Sequence, residues 1–285
     1  MLLGLHIGDS LGASLEFGPP RDRSNFHRDI TGGGAHNWPA GAATDDTELM
    51  IELLMSLIET EGKFNIYDFS GRLMEWMVGE PADIGKTTFM AISRMMEGLP
   101  PKDWPDYAPN TQGNGSLMRV APMVFFPYDF ELVKKQASVT HGHINCAVVD
   151  FIFLNALKDA LNDVPKETIY KNAIKTAHAF DRDQVTSHLE QIPNLSWDAL
   201  PTSGWCIHTL GAAFWALLKT KSFEEGLIEI VNRGDDSDSC GAVAGALLGA
   251  YYGLESIPER WLKSIRQKTK IKNLINQWDR NVAIL

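Results

Sequence analysis

The chain has 285 residues, of which 44% are hydrophobic and 22% charged, and these values predict a globular protein with an ordinary core in one domain, residues 1–285. Its formal net charge is −10 and no run of lysine and arginine forms a basic stripe, which argues against nucleic acid as a partner. No uncharged apolar segment reaches the roughly 18 residues of a membrane span, so no membrane association is expected.

The first predicted element is a helix in which Gly4, Gly8 and Gly12 recur at every fourth residue. This spacing places the three glycines on one helical face. Because glycine costs a helix roughly 1 kcal/mol relative to alanine, the pattern predicts close packing against a second helix. Asp9 interrupts the apolar run and no basic segment precedes it, which excludes a standard signal peptide. Glu16 follows the helix.

An acidic cluster at residues 44–47 (Thr-Asp-Asp-Thr) precedes an amphipathic pattern that predicts a helix over 47–60. One interpretation is helix capping, because these side chains satisfy free N–H groups in a first turn, and Asp45 has capping-box spacing to Glu48. The other interpretation is a binding site for Mg²⁺, a hard cation that prefers oxygen ligands.

Helical periodicity dominates the rest of the chain and predicts an all-α fold. Further predicted helices cover roughly 67–78, 86–97, 131–138, 146–161, 167–179, 206–219, 223–231 and 239–252. The segment from Val120 to Phe126 fits a short strand or a helix equally well. Residues 18–46 and 98–116 form two long irregular stretches rich in proline and glycine, and ordered loops of this length are often functional.

Several polar residues in these less regular regions are candidates for a functional site. Asp83 lies on a predicted turn that can face a cleft. Residues 113–116 (Gly-Asn-Gly-Ser) predict a turn whose backbone N–H groups can hold a phosphate, although a plain turn fits the same letters. Arg119 suits either a phosphate or a structural ion pair. His141 and His143 have a spacing compatible with metal ligation, but capping or packing is more common for such a pair.

A second acidic cluster, residues 235–239 (Asp-Asp-Ser-Asp-Ser), precedes a helix with Gly241, Gly245 and Gly249 at every fourth residue. The two clusters together hold more carboxylates than helix caps can use, and both lead into helices of the predicted core. Neighbouring carboxylates repel one another unless a cation lies between them. Metal binding is therefore favoured over capping alone.

The three cysteines, Cys146, Cys206 and Cys240, fit no zinc-binding spacing, and their odd number argues against a set of disulfides. They predict a protein of the reducing cytoplasm. Cys240 lies beside the second acidic cluster but matches no required ligand.

Read in chain order, these segments resemble the ADP-ribosylglycohydrolase family, which includes the bacterial dinitrogenase-reductase-activating glycohydrolases. Six segments match in the family's order over nearly the whole chain. They are the glycine-rich helix and its glutamate at 4–17, Thr-Asp-Asp-Thr at 44–47, Asp-Ile-Gly and Thr-Thr at 83–88, Gly-Asn-Gly-Ser-x-Met-Arg-x-Ala-Pro at 113–122, Ser-x-Thr-His at 138–141, and the closing acidic segment at 232–245. Each match is weak alone, whereas six in order are specific.

The resemblance implies an orthogonal all-α bundle that hydrolyses the glycosidic bond between ADP-ribose and a protein side chain, with arginine the expected one. It also implies two Mg²⁺ or Mn²⁺ ions, an ADP-ribosylated protein as substrate and ADP-ribose as product, and it specifies no oligomeric state. The implied metal ligands are Thr44, Asp45, Asp46, Asp236, Asp238 and Ser239. The implied ADP-ribose-binding residues are Gly113, Asn114, Gly115, Ser116, Met118, His141 and Trp205. The implied catalytic carboxylates are Glu16 and Asp83.

The chain departs from the family pattern in its closing segment. Asp235 stands where the family usually has a second glycine, and Ser237 and Ser239 replace threonines. Ser239 keeps a ligating hydroxyl, whereas Asp235 adds a carboxylate that leaves the substrate preference open. Hydrolysis of another ADP-ribosyl bond, to serine, nucleic acid or an acyl group, therefore stays open. So does a non-catalytic relative that binds ADP-ribose or a protein partner, such as an immunity protein against a toxin.

Overall fold

Apolar residues recur at helical spacing through most of the chain, and a computed structural model shows the helices that this pattern predicts. It describes residues 1–108 and 110–282, which contain thirteen α-helices and isolated β-bridges but no sheet, so the all-α prediction is confirmed. The helices are α1 (Leu2–Gly12), α2 (Asp45–Glu59), α3 (Ile66–Val78), α4 (Lys86–Met96), α5 (Phe130–Ala137), α6 (Ile144–Leu161), α7 (Lys166–Ala179), α8 (Asp183–Gln191), α9 (Cys206–Lys219), α10 (Phe223–Val231), α11 (Ser237–Tyr252), α12 (Glu259–Ser264) and α13 (Lys268–Val282).

The two glycine-ribbed helices, α1 and α11, pack against each other in antiparallel orientation at the centre of the fold. Gly4 faces Gly245, and Gly8 faces Gly241. A methyl group on either member of these pairs would overlap the backbone carbonyl of the other, so glycine is what allows the two backbones to touch. Every residue of α1 is buried, and so is every residue of α11 from Ser237 to Ala250.

We expect Gly8→Ala to destabilise the protein by about 3 kcal/mol, the upper end of the range for overpacked cores, because the facing atoms at Gly241 are backbone and cannot move aside. The measurement is the free energy of unfolding in urea. Gly71→Ala is the matched control, since Gly71 lies within α3 and a methyl group there meets open space. The control should be neutral or stabilising by up to about 1 kcal/mol. Equal effects of the two substitutions would contradict the close packing.

The other helices surround this central pair. Helices α6, α9 and α10 pack along α11, and α2 contacts both α1 and α11. Helices α3 and α13 pack against α2 from the outside, and α4 packs on α3. Since α2 and α11 begin at the two acidic clusters, this arrangement brings the clusters to one place.

Each predicted helix bound agrees with the structure to within two residues, and three further helices were not predicted. Helix α12 has six residues and α8 buries only Val185, Thr186 and Leu189, so neither shows a clear apolar pattern, whereas the amphipathic α13 carries Ile271, Leu274, Ile275 and Trp278 at helical spacing and was overlooked. The segment that fitted a strand or a helix contains a 3₁₀ helix, Ala121–Phe125, in which Pro122 lies in the first turn. Among the described residues, no helix has the length and apolar character needed to cross a bilayer.

Candidate functional site

A cleft of about 440 Å³ opens where the first turns of α4 and α11 meet Asp45 at the start of α2 and the residues that follow α1. The predicted site residues that line it are Glu16, Asp45, Asp83, Gly113, Asn114, Gly115, Met118, His141, Asp236, Asp238 and Ser239. Four other predicted site residues, Thr44, Asp46, Ser116 and Trp205, do not line it. The structure therefore brings most of the predicted site together from six separate segments of the chain.

The first turn of α2 is capped without the use of its own carboxylates. Thr44 is the N-cap, and its hydroxyl accepts a hydrogen bond from the Asp46 N–H at 3.3 Å. Asp9 of α1 accepts the Thr44 N–H at 3.2 Å and the Thr47 N–H at 3.3 Å, together with the Thr47 hydroxyl. Because these donors are already satisfied, the carboxylates of Asp45 and Asp46 remain available for another role.

The predicted capping box of Asp45 and Glu48 is wrong, because α2 begins at Asp45 with Thr44 as its cap. Glu48 instead accepts a hydrogen bond from the Trp76 indole at 2.7 Å. The role of Asp9 in holding the first acidic cluster was missed by the sequence analysis. The available signal was a carboxylate in the middle of a glycine-ribbed apolar helix, because a buried charge of this kind requires hydrogen-bond partners.

Asp46 joins the two acidic clusters below the surface of the cleft. Its Oδ2 accepts hydrogen bonds from the Ser239 hydroxyl at 3.1 Å and from the Thr44 hydroxyl at 3.2 Å. The Oδ1 atoms of Asp46 and Asp238 are buried and have no hydrogen-bond partner among the described residues. Buried carboxylate oxygens without a partner are costly, and a cation bound between the two clusters would satisfy them.

Asp236 and Glu16 complete this acidic group. The side-chain amide of Asn114 donates hydrogen bonds to Asp236 Oδ2 at 2.7 Å and to the Thr209 hydroxyl at 3.0 Å, which holds the Asp236 carboxylate in place. Glu16, Asp236 and Asp238 each place a carboxylate oxygen within 4.8 Å of the others. Glu16 Oε2 is also buried without a partner in the described part of the chain. Glu16 thus lies among the predicted metal ligands.

The electrostatics of the cleft favour a bound cation. Burial and neighbouring carboxylates raise the pKa of Asp45, Asp46 and Asp238 well above the usual range. Burial, together with the charge of Asp83, raises the pKa of Glu16 to about 8. A divalent cation would offset both the repulsion and the loss of solvation, and a donor set made only of oxygens fits Mg²⁺ or Mn²⁺.

The second predicted catalytic carboxylate, Asp83, lies on the loop between α3 and α4. The Gly85 N–H donates to Asp45 Oδ2 at 3.4 Å, which connects this loop to the first acidic cluster. Asp83 Oδ1 is 3.9 Å from His36 Nε2, and Glu16 places an oxygen within 4.8 Å of both residues. Burial raises the pKa of Asp83, while the nearby His36 lowers it. The sequence analysis did not single out His36, whose position depends on contacts between distant segments.

The loop at residues 113–116 packs on a buried histidine. A methyl group on Gly115 would lie 2.6 Å from Cε1 of His141, and one on Gly113 would lie 3.2 Å from its Nε2, so both positions favour glycine. Burial lowers the pKa of His141 to about 3, so its imidazole is neutral. The Asn114 N–H donates to the Gly204 carbonyl at 3.1 Å, so this donor is not free for a phosphate.

Ser116 and Arg119 are fully buried. The Arg119 guanidinium donates to the Gln136 side chain at 3.0 Å, lies 5.3 Å from the centre of the Phe69 ring and interacts with the charge of Asp150. Arg119 therefore has a structural role, in which its hydrogen bonds go to Gln136 instead of to the carboxylate of the predicted ion pair. Ser116 is likewise withdrawn from the cleft and does not line it.

Trp205 lies next to the glycine loop but does not line the cleft. Its backbone forms a β-bridge with Gly113, and its indole N–H donates to the Gln112 side chain at 3.1 Å. The half-buried Trp205 ring lies 4.7 Å from the ring of His208. A stacking contact between this tryptophan and the adenosine end of a ligand stays a prediction.

Asp235 adopts a left-handed backbone conformation with φ of 56°. Glycine favours this conformation, and aspartate is among the residues that tolerate it, which explains how the substitution fits the family pattern. Its backbone pairs with the chain after α1, accepting from the Phe17 N–H at 2.7 Å and donating to the Gly18 carbonyl at 2.8 Å. The exposed Asp235 carboxylate lines the cleft without joining the buried group.

We expect Cys240→Ala to retain both metal binding and activity, because the Cys240 thiol is fully buried within α11 and does not line the cleft. Burial raises the pKa of this thiol well above its usual range, whereas a metal-ligating cysteine must be a thiolate. Metal content of the purified variant and its initial rate test the prediction. Loss of metal by a correctly folded Cys240→Ala protein would overturn the assignment of an all-oxygen site.

Comparisons with known proteins cover nearly the whole chain. The model of the ADP-ribosylglycohydrolase family matches residues 1–283. The chain is 33% identical over 294 residues to the ADP-ribosylarginine hydrolase Tri1 of Pseudomonas putida, covering 97% of this chain and 76% of that protein. It is 31% identical over 277 residues to the ADP-ribosyl-(dinitrogen reductase) glycohydrolase of Rhodospirillum rubrum, covering 94% and 90% of the two chains.

A solved structure described as an ADP-ribosylglycohydrolase-related protein complex has a TM-score of 0.81 to this chain at 33% identity. The alignment covers 98% of this chain and 95% of the other. The similarity therefore extends over both acidic clusters, the glycine loop and the helices that hold them.

Proposed function

This chain belongs to the ADP-ribosylglycohydrolase family of enzymes, and we propose that it hydrolyses the N-glycosidic bond between ADP-ribose and an arginine side chain of a protein. The observation that carries the proposal is the cleft lined by Glu16, Asp83 and Asp238, with Asp46 below its surface, where Glu16, Asp46 and Asp238 hold buried carboxylate oxygens that have no partner among the described residues. The linkage to arginine rests on the relative from Pseudomonas putida, which is an ADP-ribosylarginine hydrolase.

We propose that two Mg²⁺ ions, or Mn²⁺ ions, occupy the acidic group. The residues that would hold them are Thr44, Asp45, Asp46, Asp236, Asp238 and Ser239, with Glu16 beside them. When bound, such ions would hold the ribose hydroxyls and increase the acidity of a water molecule in the cleft. Asp9 and Asn114 support the proposed ligands, because they fix the first turn of α2 and the Asp236 carboxylate through hydrogen bonds.

The reaction breaks the bond between the anomeric carbon of ribose and the guanidine nitrogen, and it forms a bond from that carbon to the oxygen of water. The transition state has oxocarbenium character, so the carboxylates around the cleft stabilise its positive charge. We propose that Asp83 transfers a proton to the departing guanidine nitrogen. Glu16 would accept the proton lost by the attacking water, because bound cations beside it would offset the burial and the carboxylate charges that otherwise raise its pKa to about 8, or it would orient the ribose. The raised pKa of Asp83 suits this assignment, because its carboxyl keeps a proton to higher pH than a free aspartate does.

The positive charge that would balance the negative diphosphate of ADP-ribose is available at the start of α4. This helix begins at Lys86 without a side-chain cap, so its first N–H groups and the lysine present positive charge. Lys86, Thr87 and Thr88 line the cleft together with Gly113 and Gly115. We propose that this side of the cleft holds the diphosphate while the acidic group holds the ribose next to the modified arginine.

The test is incubation of the protein with a protein that carries ADP-ribosyl-arginine, with Mg²⁺ in one sample and excess chelator in the other. We expect release of free ADP-ribose and restoration of unmodified arginine with Mg²⁺, and loss of the reaction with chelator. Equal rates in both samples would contradict the metal assignment. No release from arginine under either condition would contradict the proposed substrate.

The alternative substrates form parallel samples in the same experiment. Release of ADP-ribose from a serine-linked peptide, a modified nucleic acid or an acyl ester, with none from arginine, would replace the proposed linkage. Binding of ADP-ribose without release from any of these substrates would identify a non-catalytic relative. The acidic group argues against this last outcome, because a protein that only binds ADP-ribose has no need for so many buried carboxylates at the ribose.

A further inference from the structure

A second group of potential metal ligands lies at the edge of the cleft and differs in chemistry from the all-oxygen group, since Glu16 and Asp83 line the cleft and His36 lies next to them outside its lining. Glu16, His36 and Asp83 each place one ligand atom within 4.8 Å of the other two. Within this group, His36 Nε2 and Asp83 Oδ1 are 3.9 Å apart. Glu16 belongs to both groups, and its two carboxylate oxygens allow it to offer one ligand atom to each, since its buried Oε2 has no hydrogen-bond partner among the described residues. This combination contains an imidazole, which the ligand set proposed for Mg²⁺ does not.

The fold holds the three side chains from separate elements. His36 lies in a tight hairpin closed by two backbone hydrogen bonds between Gly33 and Trp38, at 2.7 and 2.8 Å. Gly34 of this hairpin packs against the backbone of Ser14, close to the end of α1 and two residues before Glu16. Since the same segment carries Glu16, the position of the His36 hairpin is tied to that of the carboxylate.

Aromatic rings restrict His36 further, while leaving it accessible from solvent. The centres of the Phe17 and Trp38 rings are 6.2 and 5.8 Å from that of His36. The side chains of His36 and Asp83 remain 31% and 18% exposed. A metal ion in solution can therefore reach this group without opening of the core.

The donor set fits zinc better than magnesium. Zn²⁺ takes histidine nitrogen and carboxylate oxygen at about 2.0–2.2 Å in tetrahedral sites, which places ligand atoms roughly 3.3 Å apart. The distance of 3.9 Å between His36 Nε2 and Asp83 Oδ1 is slightly longer than this value, and a small side-chain rotation would close the difference. Mg²⁺, in contrast, prefers oxygen ligands and an octahedral site. Three protein ligands would leave the fourth zinc position facing the cleft.

We propose that Glu16, His36 and Asp83 form a zinc-binding site at the mouth of the cleft, and that zinc bound there inhibits the enzyme. Zinc at this position takes up both carboxylates assigned to proton transfer and places an ion where the modified arginine must enter. The binding part of the proposal stands on the geometry of the three side chains, whereas the inhibition part rests on the proposed function. His36 beside the acidic group thus makes the enzyme subject to inhibition by zinc, a metal that the acidic group itself does not require.

The binding experiment uses the full chain saturated with Mg²⁺, so that the all-oxygen group is occupied. Calorimetry measures zinc affinity, and the visible absorption of added Co²⁺ reports a low-symmetry site with nitrogen and oxygen ligands. Changes in outer-shell partners alone weaken metal sites by about 10–100-fold, so loss of the direct ligand in His36→Gln should weaken zinc binding at least tenfold. The Co²⁺ band should disappear in the same variant.

The matched control is His178→Gln, because His178 also pairs with a carboxylate, Glu190, at 2.9 Å, but on an exposed surface with no third ligand in the described residues. This control should bind zinc as the unsubstituted protein does. If His36→Gln fails to fold, Asp83→Asn serves as the second variant, and it should also lose the Co²⁺ band. Equal zinc affinity in the unsubstituted and His36→Gln proteins would overturn the site.

The inhibition experiment measures release of ADP-ribose from ADP-ribosyl-arginine protein against zinc concentration, each variant relative to its own zinc-free rate. The concentration for half-inhibition should rise at least tenfold in His36→Gln and stay unchanged in His178→Gln. Zinc binding by a protein with no hydrolase activity would leave the site standing and refute the proposed function. Hydrolysis that zinc inhibits equally in both variants would refute the proposed inhibition.

Discussion

Asp238→Asn is expected to remove most of the hydrolase activity and to weaken Mg²⁺ binding at the same time. Asp238 is 2% exposed, its Oδ1 has no partner in the described residues, and its carboxylate approaches those of Glu16 and Asp236. Substitution of residues that only hydrogen-bond to metal ligands already lowers metal affinity or activity about 10–100-fold. Loss of a direct carboxylate ligand should therefore lower turnover at least a hundredfold. Calorimetry with Mg²⁺ and initial rates on the same preparations measure the two effects.

The same substitution should stabilise the metal-free protein, which a merely structural aspartate would not do. Burial and the charge of Asp46 raise the pKa of Asp238 well above its ordinary value of 3.8. A carboxyl group with a raised folded-state pKa binds more protons in the folded state than in the unfolded state, so its contribution to stability is lost as the pH rises above 3.8. Asparagine carries no charge and avoids this loss.

In excess chelator at neutral or higher pH, Asp238→Asn should therefore melt above the unsubstituted protein, and added Mg²⁺ should reverse this order. Asp235→Asn is the matched control, because Asp235 is an exposed carboxylate of the same cleft and asparagine tolerates its left-handed backbone. It should change neither the melting temperature nor Mg²⁺ affinity appreciably. If the unsubstituted protein binds no divalent ion at millimolar concentration, the metal assignment fails.

Asp83→Ala is expected to lower turnover about a hundredfold while leaving Mg²⁺ binding nearly intact. A positioned acid or base typically contributes a factor of about 10²–10⁴ to a rate. Asp83 approaches Glu16 but lies on a loop outside both acidic clusters, so its loss should not remove a direct Mg²⁺ ligand. Single-turnover rates at saturating substrate and Mg²⁺, together with calorimetric Mg²⁺ affinity, test the two halves of the expectation.

Asp83→Asn separates proton transfer from positioning. Asparagine keeps the shape and hydrogen-bonding capacity of the side chain but cannot exchange a proton, so its rate should resemble that of Asp83→Ala. A rate in Asp83→Asn close to that of the unsubstituted protein would leave Asp83 with a positioning role only. A nearly normal rate in Asp83→Ala would remove Asp83 from the mechanism and move the proton-transfer role to Glu16.

The helices of this fold could be predicted where amphipathic or glycine periodicity was long enough to stand out. Helix α9 was predicted with the bounds that the structure shows, whereas α2, capped by Thr44, begins two residues earlier than the apolar pattern suggests and ends one residue earlier. Helix α12 has six residues, fewer than two turns, so no periodicity could mark it. Length alone does not decide the outcome, because the eight-residue α5 was predicted and the 15-residue amphipathic α13 was overlooked.

The site could be predicted from local chemistry, but its connections could not. The two acidic clusters were evident because each holds more carboxylates than a helix cap requires. The hydrogen bonds from Thr44 and Thr47 to Asp9, and the approach of His36 to Asp83, depend on how distant segments pack, and a single sequence has no local signal for them. Ser116 shows the limit of the resemblance, which implied that this residue binds ADP-ribose, whereas the structure buries it completely.

The contact between α1 and α11 also determines when the protein becomes an enzyme during its folding. The Ser237 hydroxyl donates to the Gly12 carbonyl across 225 positions of sequence, and closure of so long a loop is entropically costly and slow. Until α11 docks on α1, the carboxylates at its start cannot face those at the start of α2. During synthesis at about 5–20 residues per second, the chain must thus wait for its last third before the site can assemble. Recovery of hydrolase activity in a refolding experiment should accordingly follow the slowest folding phase, later than the recovery of helical circular dichroism.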